Sequence, residues 1–423
     1  VTVVLAGDAQ GLPRDARAAY EGWRQIGGQI HSDIPPGSYA LAVDALFGIG
    51  LTRPLAGRHT ALIDALEALS CPILAVDVPS GLCADTGRCL GRCLHASHTL
   101  SLIAGKPGLY TLDGPDHCGE ISIDALGLDP GGTAGCLVSP DLFAAHCRPR
   151  YRNSHKGSFG SVGILGGAPG MAGAALLAGR AALRLGAGRV YIGMLERLAV
   201  DPVQPELMLR SIDEIPALAT VLVTGSGLGT SAAALECLRH AVAAPLPLVL
   251  DADALNMLAA HPVLMGLVAR REAATLLTPH PAEAARLLDS SIDAVQADRL
   301  TAALELARRS RALVLLTGCG SILAQPEGSW QINATGNPGL ATAGSGDVLS
   351  GILGALLAQH WPPAAATAGS AYFHGIAAEQ LAAEGIGPAG LTAGEVIDAA
   401  RRLFNRACSP ARSRASMRCR ASR

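Results

Sequence analysis

The stretch Asn333–Gln359, "NATGNPGLATAGSGDVLSGILGALLAQ", decides how this chain is read. A run of small residues ends at one acid, Asp347, and a helical pattern begins at once. Val348, Leu349, Ile352, Leu353, Leu356 and Leu357 recur on one helical face, so a helix is expected to start near Gly346 or Asp347. Gly344 and Gly346 let the backbone turn tightly and bring N–H groups to an anion at the helix N-terminus. Asp347 then falls in the first turn. An acid there suits the helix dipole, but it also stands where a phosphate would bind.

Neighbouring stretches repeat the arrangement. "DADALNML" puts Asp251 and Asp253 after a strand-like run, with Asn256 one turn on. "TLLTPHPAEAARLL" puts His280 between a strand and a helix, with Pro279 and Pro281 fixing its backbone. "TGSGLG" is another glycine-rich strand-to-helix turn. All lie at strand ends, where open α/β sheets bind ligands. With "SVGILGG", "MAGAALLAGRAALRLGAG" and "RVYIGML" upstream, residues 151–405 read as one α/β domain. Residues 1–130 carry a second βαβ series. "YALAVDALFG" and "CPILAVDVPSG" are strands separated by the amphipathic "HTALIDALEAL", which implies a parallel sheet. Residues 131–150 read as a linker and residues 406–423 as a basic disordered tail.

Bulk properties agree with two domains in 423 residues. Hydrophobic content of 49% and charge of 16% suffice for large buried cores, and fifty glycines suit many tight turns. A net charge of −2 leaves no basic footprint for nucleic acid. Arg180 and Arg184 interrupt the most apolar run, so no membrane span or signal peptide is read and a cytoplasmic location is expected. Among eleven cysteines, Cys83, Cys89 and Cys93 form the one cluster. Their spacing fits no usual zinc pattern, so free cytosolic thiols are expected.

The segments "NSHKGSFGSVGILGGAPGMAGAALLAGRAALRLGAG", "PELM", "GSGLG", "LDADALNML", "TPHPAE" and "TGNPGLATAGSGDVLSG" occur in the order seen in ADP-dependent NAD(P)H-hydrate dehydratases. Those enzymes belong to the ribokinase-like superfamily, and the resemblance spans about residues 150–405. It implies a ribokinase-like α/β domain that transfers the β-phosphoryl of ADP to the C6 hydroxyl of a hydrated nicotinamide cofactor. Phosphate then leaves, and AMP remains. Asp347 is implied to accept the hydroxyl proton, with Mg²⁺ offsetting repulsion between acid and nucleotide. N–H groups of Gly344 to Gly346 would stabilise the phosphoryl group in transit. Ala174, Gly227, His280 and Asp347 are implied to contact the hydrated cofactor. Gly346 and the segment Thr317, Gly318, Cys319, Gly320, Ser321 are implied to contact the adenine nucleotide. The family usually has Lys-Gly where this chain has Thr317-Gly318, so weaker nucleotide binding is expected. Ala282 replaces a usual glycine.

In the first half, "DALFGIGLTRPLAG", "AVDVPSGLCADTG" and "KPGLYTLDGPDHCGEISIDALGL" resemble the Rossmann-like NAD(P)H-hydrate epimerase domain. The match places Asp44 and Ser80 on potassium ligands. It places Gly48, Ile49, Gly50, Leu51, Thr52, Arg53 and Pro54 along the substrate, and Asp77 in contact with it. The family's Asn-Asn-Gly-Gly-Asp-Gly loop precedes the stretch at which this sequence opens, Val1, so an incomplete domain and little epimerase activity are expected of residues 1–130 as they stand, whereas a longer protein of which they are a fragment would be expected to carry both activities. Together the two resemblances imply hydrated NADH or NADPH and ADP as small-molecule partners, and a homo-oligomer. Two other readings stand beside this one: a ribokinase-like kinase for a sugar or vitamin alcohol, and a degenerate cofactor-binding protein.

Overall fold

The computed structural model describes residues 1–129, 131–132 and 135–409. The chain divides into two compact units at residues 133/134.

In the first unit, strands Ala42–Asp44, Ile73–Val76, His98–Leu102 and Glu120–Asp124 pair in that order, all parallel. Helix Arg58–Glu67 makes the first crossover and buries Leu62 and Ile63. Ile63 packs with Ala42, Ile73 and Leu94. Val3–Val4 and Ile30–His31 do not join this sheet and form a separate two-stranded parallel ladder. The single parallel sheet read from sequence is therefore two. The ladder is tied on by a side chain instead: Arg58 donates to Leu5 O at 3.0 Å and Ser32 O at 2.6 Å.

The second unit is built on a ten-stranded sheet. From one edge its strands are Met208–Arg210, Arg189–Met194, Ser161–Gly166, Val221–Thr224, Leu248–Leu250, Thr275–Leu277 and Leu313–Leu316, all parallel. Ser321–Ala324 and Trp330–Asn333 continue it antiparallel, and Gly135–Leu137 closes the far edge. Ser161–Gly166, Val221–Thr224, Leu248–Leu250 and Thr275–Leu277 are buried throughout, as continuous apolar runs covered on both faces should be.

Helix Ser345–Ala358 is buried along its length except at Gly346 and Asp347. The single apolar face expected from its sequence is too narrow a description. On one side Gly354 admits Val223 and Val162 of the sheet, and on the other Gly351 admits the carbonyl of Ala178 from helix Ala172–Arg184. A Cβ at Gly351 would meet that oxygen at 2.1 Å. Helices Pro363–Ala383 and Ala393–Ala407 add to the same core.

Two boundary readings change. Within 131–150, Gly135–Leu137 joins the sheet and Phe143 is buried against Trp361, Tyr372 and Phe373, because this segment carries apolar side chains that the sheet edge and helix Pro363–Ala383 can cover. The last helix runs to Ala407, past residue 406, and residues 410–423 of the expected tail lie outside the described residues. Among the described residues no helix is long and apolar enough to cross a membrane.

Candidate active site

Asp347 occupies the first turn of helix Ser345–Ala358, which starts one to two residues earlier than its apolar pattern indicated. Gly344 caps it with φ +85°, and a Cβ there would meet Leu177 at 2.5 Å, so glycine is required twice over. Ser345 spends its N–H on Thr342 O at 3.3 Å. The N–H groups of Gly344, Gly346 and Asp347 have no partner among the described residues and lie free at the N-terminal end of the helix.

The Asp347 carboxyl is pushed up to about 6, by burial first and then by the nearby charge of Asp251, while the Ser226 hydroxyl pulls the other way. Asp251 lies buried at the end of strand Leu248–Leu250 and accepts hydrogen bonds from Ser350 Oγ at 2.6 Å and Thr278 Oγ1 at 2.8 Å. Burial raises its carboxyl as well. Asp253 instead accepts the Gly229 N–H at 2.7 Å, and Asn256 accepts from Arg286 at 2.8 Å. Next to Ser226, Gly227 has φ +58°, and a Cβ added to it would lie 3.0 Å from Ala174 Cβ. The structure thus brings Ala174, Gly227, Ser226, Asp251 and Asp347 to one end of the sheet.

His280 caps helix Pro281–Leu288. Its Nδ1 accepts from the N–H groups of Ala282 at 3.1 Å and Glu283 at 3.4 Å, so the proton sits on Nε2, 3.2 Å from Glu283 Oε1. Glu283 is buried and its carboxyl is pushed up to about 8, chiefly by that burial. Burial holds His280 below its ordinary value. The pair is therefore a neutral imidazole beside a carboxylic acid near neutral pH. Glu283 carried no signal in the sequence beyond its place in "TPHPAE".

The Thr317–Gly320 turn joins two antiparallel strands, Leu313–Leu316 and Ser321–Ala324. Thr317 directs both its N–H and its hydroxyl to Pro279 O, at 2.9 and 3.3 Å. A buried cation lies beneath this turn and bonds its carbonyls. Arg299, buried at the start of helix Arg299–Ser310, donates to Thr317 O at 3.2 Å and Gly320 O at 3.4 Å. Its guanidinium lies against Gly318, where a Cβ would meet it at 2.7 Å. Burial lowers Arg299 to about 10, which leaves it cationic at neutral pH. Nothing in the local pattern of residues 317–321 pointed to Arg299.

In the first unit, Asp44 ends its strand fully buried and accepts from Ser80 N at 2.8 Å, Ser80 Oγ at 2.7 Å and Leu46 N at 3.2 Å. Burial raises its carboxyl, and no cationic side chain pairs with it among the described residues. Asp77 has φ +71° and pairs with Lys106, whose Nζ also reaches Ser101 Oγ at 3.1 Å and Leu102 O at 2.6 Å. Lys106 is a partner the sequence reading did not single out. A Cβ on Gly48 would lie 3.4 Å from Asp77 Oδ2, so these two are neighbours. Ile49, Gly50, Thr52, Arg53 and Pro54 are exposed along the same loop, whereas Leu51 is buried.

A family model described as NAD(P)H-hydrate dehydratase matches residues 162–401, and one described as YjeF-related protein N-terminus matches residues 1–108. The bifunctional NAD(P)H-hydrate repair enzyme Nnr of Escherichia coli (strain K12) is 38% identical over 420 residues, covering 96% of this chain and 80% of its own length. The chain belongs to the NAD(P)H-hydrate repair family. The ADP-dependent (S)-NAD(P)H-hydrate dehydratase of Neisseria meningitidis is 43% identical over 277 residues, 64% of this chain and 92% of the relative. Among solved structures, an ADP/ATP-dependent NAD(P)H-hydrate dehydratase from Bacillus subtilis, co-crystallised with ATP/Mg²⁺, matches with a TM-score of 0.56 and 30% identity. It covers 64% of this chain and 98% of that one. A ribokinase-like superfamily protein from Enterococcus faecalis, TM-score 0.58 at 23% identity over 66% of this chain and 98% of its own, shares the fold. The second unit is thus a dehydratase domain of ribokinase-like fold, joined to a YjeF-related first unit.

Proposed function

We propose that the second unit dehydrates hydrated NADH or NADPH at the expense of ADP, with Asp347 as the base. The observation that carries this is the Asp347 carboxyl itself. It sits among unpaired helix N–H groups, and its affinity for a proton is raised to about 6, near the pH at which a general base works best. In the reaction, Asp347 takes the proton of the C6 hydroxyl as that oxygen attacks the β-phosphorus of ADP, and AMP leaves. The ring nitrogen lone pair then expels phosphate from C6 to leave an iminium, and loss of a C5 proton to the departing phosphate or to water restores the dihydropyridine. The N–H groups of Gly344 and Gly346 face the phosphoryl group in transit. Ala174, Gly227 and His280 line the cofactor side, and residues 317–321, held from beneath by Arg299, line the nucleotide side.

The acids here suit an ion carried in on nucleotide phosphates better than one held in a protein cage. Both oxygens of Asp251 are taken by hydroxyls, and one of Asp253 by an amide. Mg²⁺ held with the nucleotide would supply charge neutralisation for the phosphates beside these acids.

For the first unit the reading is a site for the same hydrated cofactor, made by Asp77 and the exposed part of loop 48–54. Asp44 and Ser80 offer K⁺ oxygen ligands, which an otherwise unpaired buried carboxylate favours. Conversion of the R to the S hydrate, assayed with and without K⁺, decides whether this unit turns over. Assembly as a homo-oligomer belongs to the same reading and is measured by light scattering.

The deciding experiment incubates the full chain with hydrated NADH, ADP and Mg²⁺. Recovery of the reduced nicotinamide absorbance with AMP and free phosphate is expected. A stable phosphorylated product would instead favour a kinase, and binding without AMP formation would favour a non-catalytic protein.

A further inference from the structure

The first unit gathers soft metal ligands away from Asp44, Asp77 and Ser80. Cys89 pairs across an isolated antiparallel bridge with Leu82, and Cys93 is buried four residues further along the same loop. His117 ends the short helix Gly114–His117, 28 residues beyond Cys89. The two sulfurs and a His117 ring nitrogen lie within 4.8 Å of one another. Cys83, the third cysteine of the sequence cluster, is not part of the group. His117 supplies the ligand that cysteine spacing could not reveal.

The histidine is oriented as a metal ligand requires. Its Nδ1 lies 3.0 Å from Leu94 O, and a carbonyl only accepts, so Nδ1 carries the proton. Nε2 therefore turns its lone pair toward Cys89 Sγ, 3.2 Å away. An outer N–H held by a backbone carbonyl is the usual support of a metal-bound imidazole. The His95 ring stacks on His117 at 4.1 Å and is itself held by Glu67 at 2.6 Å. The cysteine loop is fastened by Leu90 N to Gly81 O at 2.8 Å, Leu94 N to Ser80 O at 2.9 Å and Cys89 N to Asp113 Oδ2 at 3.1 Å. A Cβ at Gly81 would meet Arg92 O at 2.1 Å, so the two sides of the loop pack backbone against backbone there.

We propose that Cys89, Cys93 and His117 bind Zn²⁺ as a three-ligand Cys₂His site, with water in the fourth position. Two thiolates and one imidazole form a donor set that selects zinc over hard cations. Binding releases the two thiol protons to solvent and oxidises nothing. The ion links the Gly81–Leu94 loop to the Gly114–His117 turn, two segments otherwise joined by hydrogen bonds, and so stabilises the unit that presents Ser80.

The test uses the full chain, reduced with a phosphine and freed of metal, titrated first with Co²⁺ alone and then with Zn²⁺. One equivalent of Co²⁺ should give the thiolate-to-cobalt charge-transfer and intense visible bands of a four-coordinate site, and one equivalent of Zn²⁺ should abolish them. Cys89→Ser and His117→Gln, both at half-buried positions, should each weaken Zn²⁺ binding by roughly tenfold or more; Cys83→Ser should not. Zn²⁺ should raise the unfolding temperature of the parent chain and not that of Cys89→Ser. Absence of thiolate–cobalt bands in the folded parent overturns the proposal, and needs no variant to fold. So does Zn²⁺ affinity that both Cys89→Ser and His117→Gln leave unchanged.

Discussion

Asp347 is the residue on which the chemistry turns, and its environment makes two tests specific. Asp347→Asn keeps the shape and the helix N–H groups but removes the base. Turnover should fall by two orders of magnitude or more, on the scale of general-base loss, while ADP binding is retained. A near-normal rate would remove Asp347 from the mechanism. Because the carboxyl titrates near 6 and must be ionised to accept a proton, kcat/KM should fall as pH drops below about 6 and level off above it. Arg299 makes a contrasting prediction. It bonds the carbonyls of the 317–320 turn and holds that turn in place. Arg299→Leu should raise the KM for ADP roughly tenfold, the scale of one charge-assisted hydrogen bond, with kcat at saturating ADP changed much less. An equal fall in kcat would place Arg299 in the chemistry itself.

At the scale of the element, the N-terminus of helix Ser345–Ala358 depends on Gly344. Gly344→Ala puts a side chain at φ +85° and 2.5 Å from Leu177. The backbone strain alone should cost ~1–3 kcal/mol, read as a lower denaturation midpoint for the second unit. Gly351→Ala should be worse, since its Cβ would meet a backbone carbonyl that has no rotamer to escape by. If both variants melt like the parent, the close packing of this helix on Ala172–Arg184 is not a source of stability.

For the whole second unit, buried titratable groups set the pH dependence of stability. Glu283 binds its proton up to about pH 8 when folded but only to about 4.5 when unfolded. The folded state therefore holds the extra proton between those values, and stability falls as pH rises through that window. Asp347 acts in the same direction between 3.8 and about 6. His374 acts oppositely. Burial lowers it to about 4 from 6.5, so the unfolded chain binds more protons there and stability falls as pH drops through that range. Above 6.5 only the Glu283 contribution among these three remains. The second unit should lose thermal stability from pH 6.5 to 8, and Glu283→Gln should flatten that fall. A parent profile that is flat or rising over this range would contradict the burial of a protonated Glu283.

How much was legible follows from how far apart the interacting residues lie in the chain. The α/β alternation, the glycine turn before Asp347 and the strand-end positions of Asp251 and His280 are local patterns, set by backbone sterics and apolar periodicity within a few residues. They could be read directly, and the ordered motifs carried the family with them. The ladder Val3–Val4 with Ile30–His31, the Gly135–Leu137 edge strand and the full burial of helix Ser345–Ala358 could not, because each depends on which surface a segment meets. The same holds for the chemistry. Asp347 is raised by burial and then by its neighbour Asp251, Arg299 places its charge beneath Thr317, and His117 faces Cys89 from a different segment. A charge or a lone pair acts through distance in space, and for these residues the chain brings that distance down to a few ångströms only once the sheets and helices have packed.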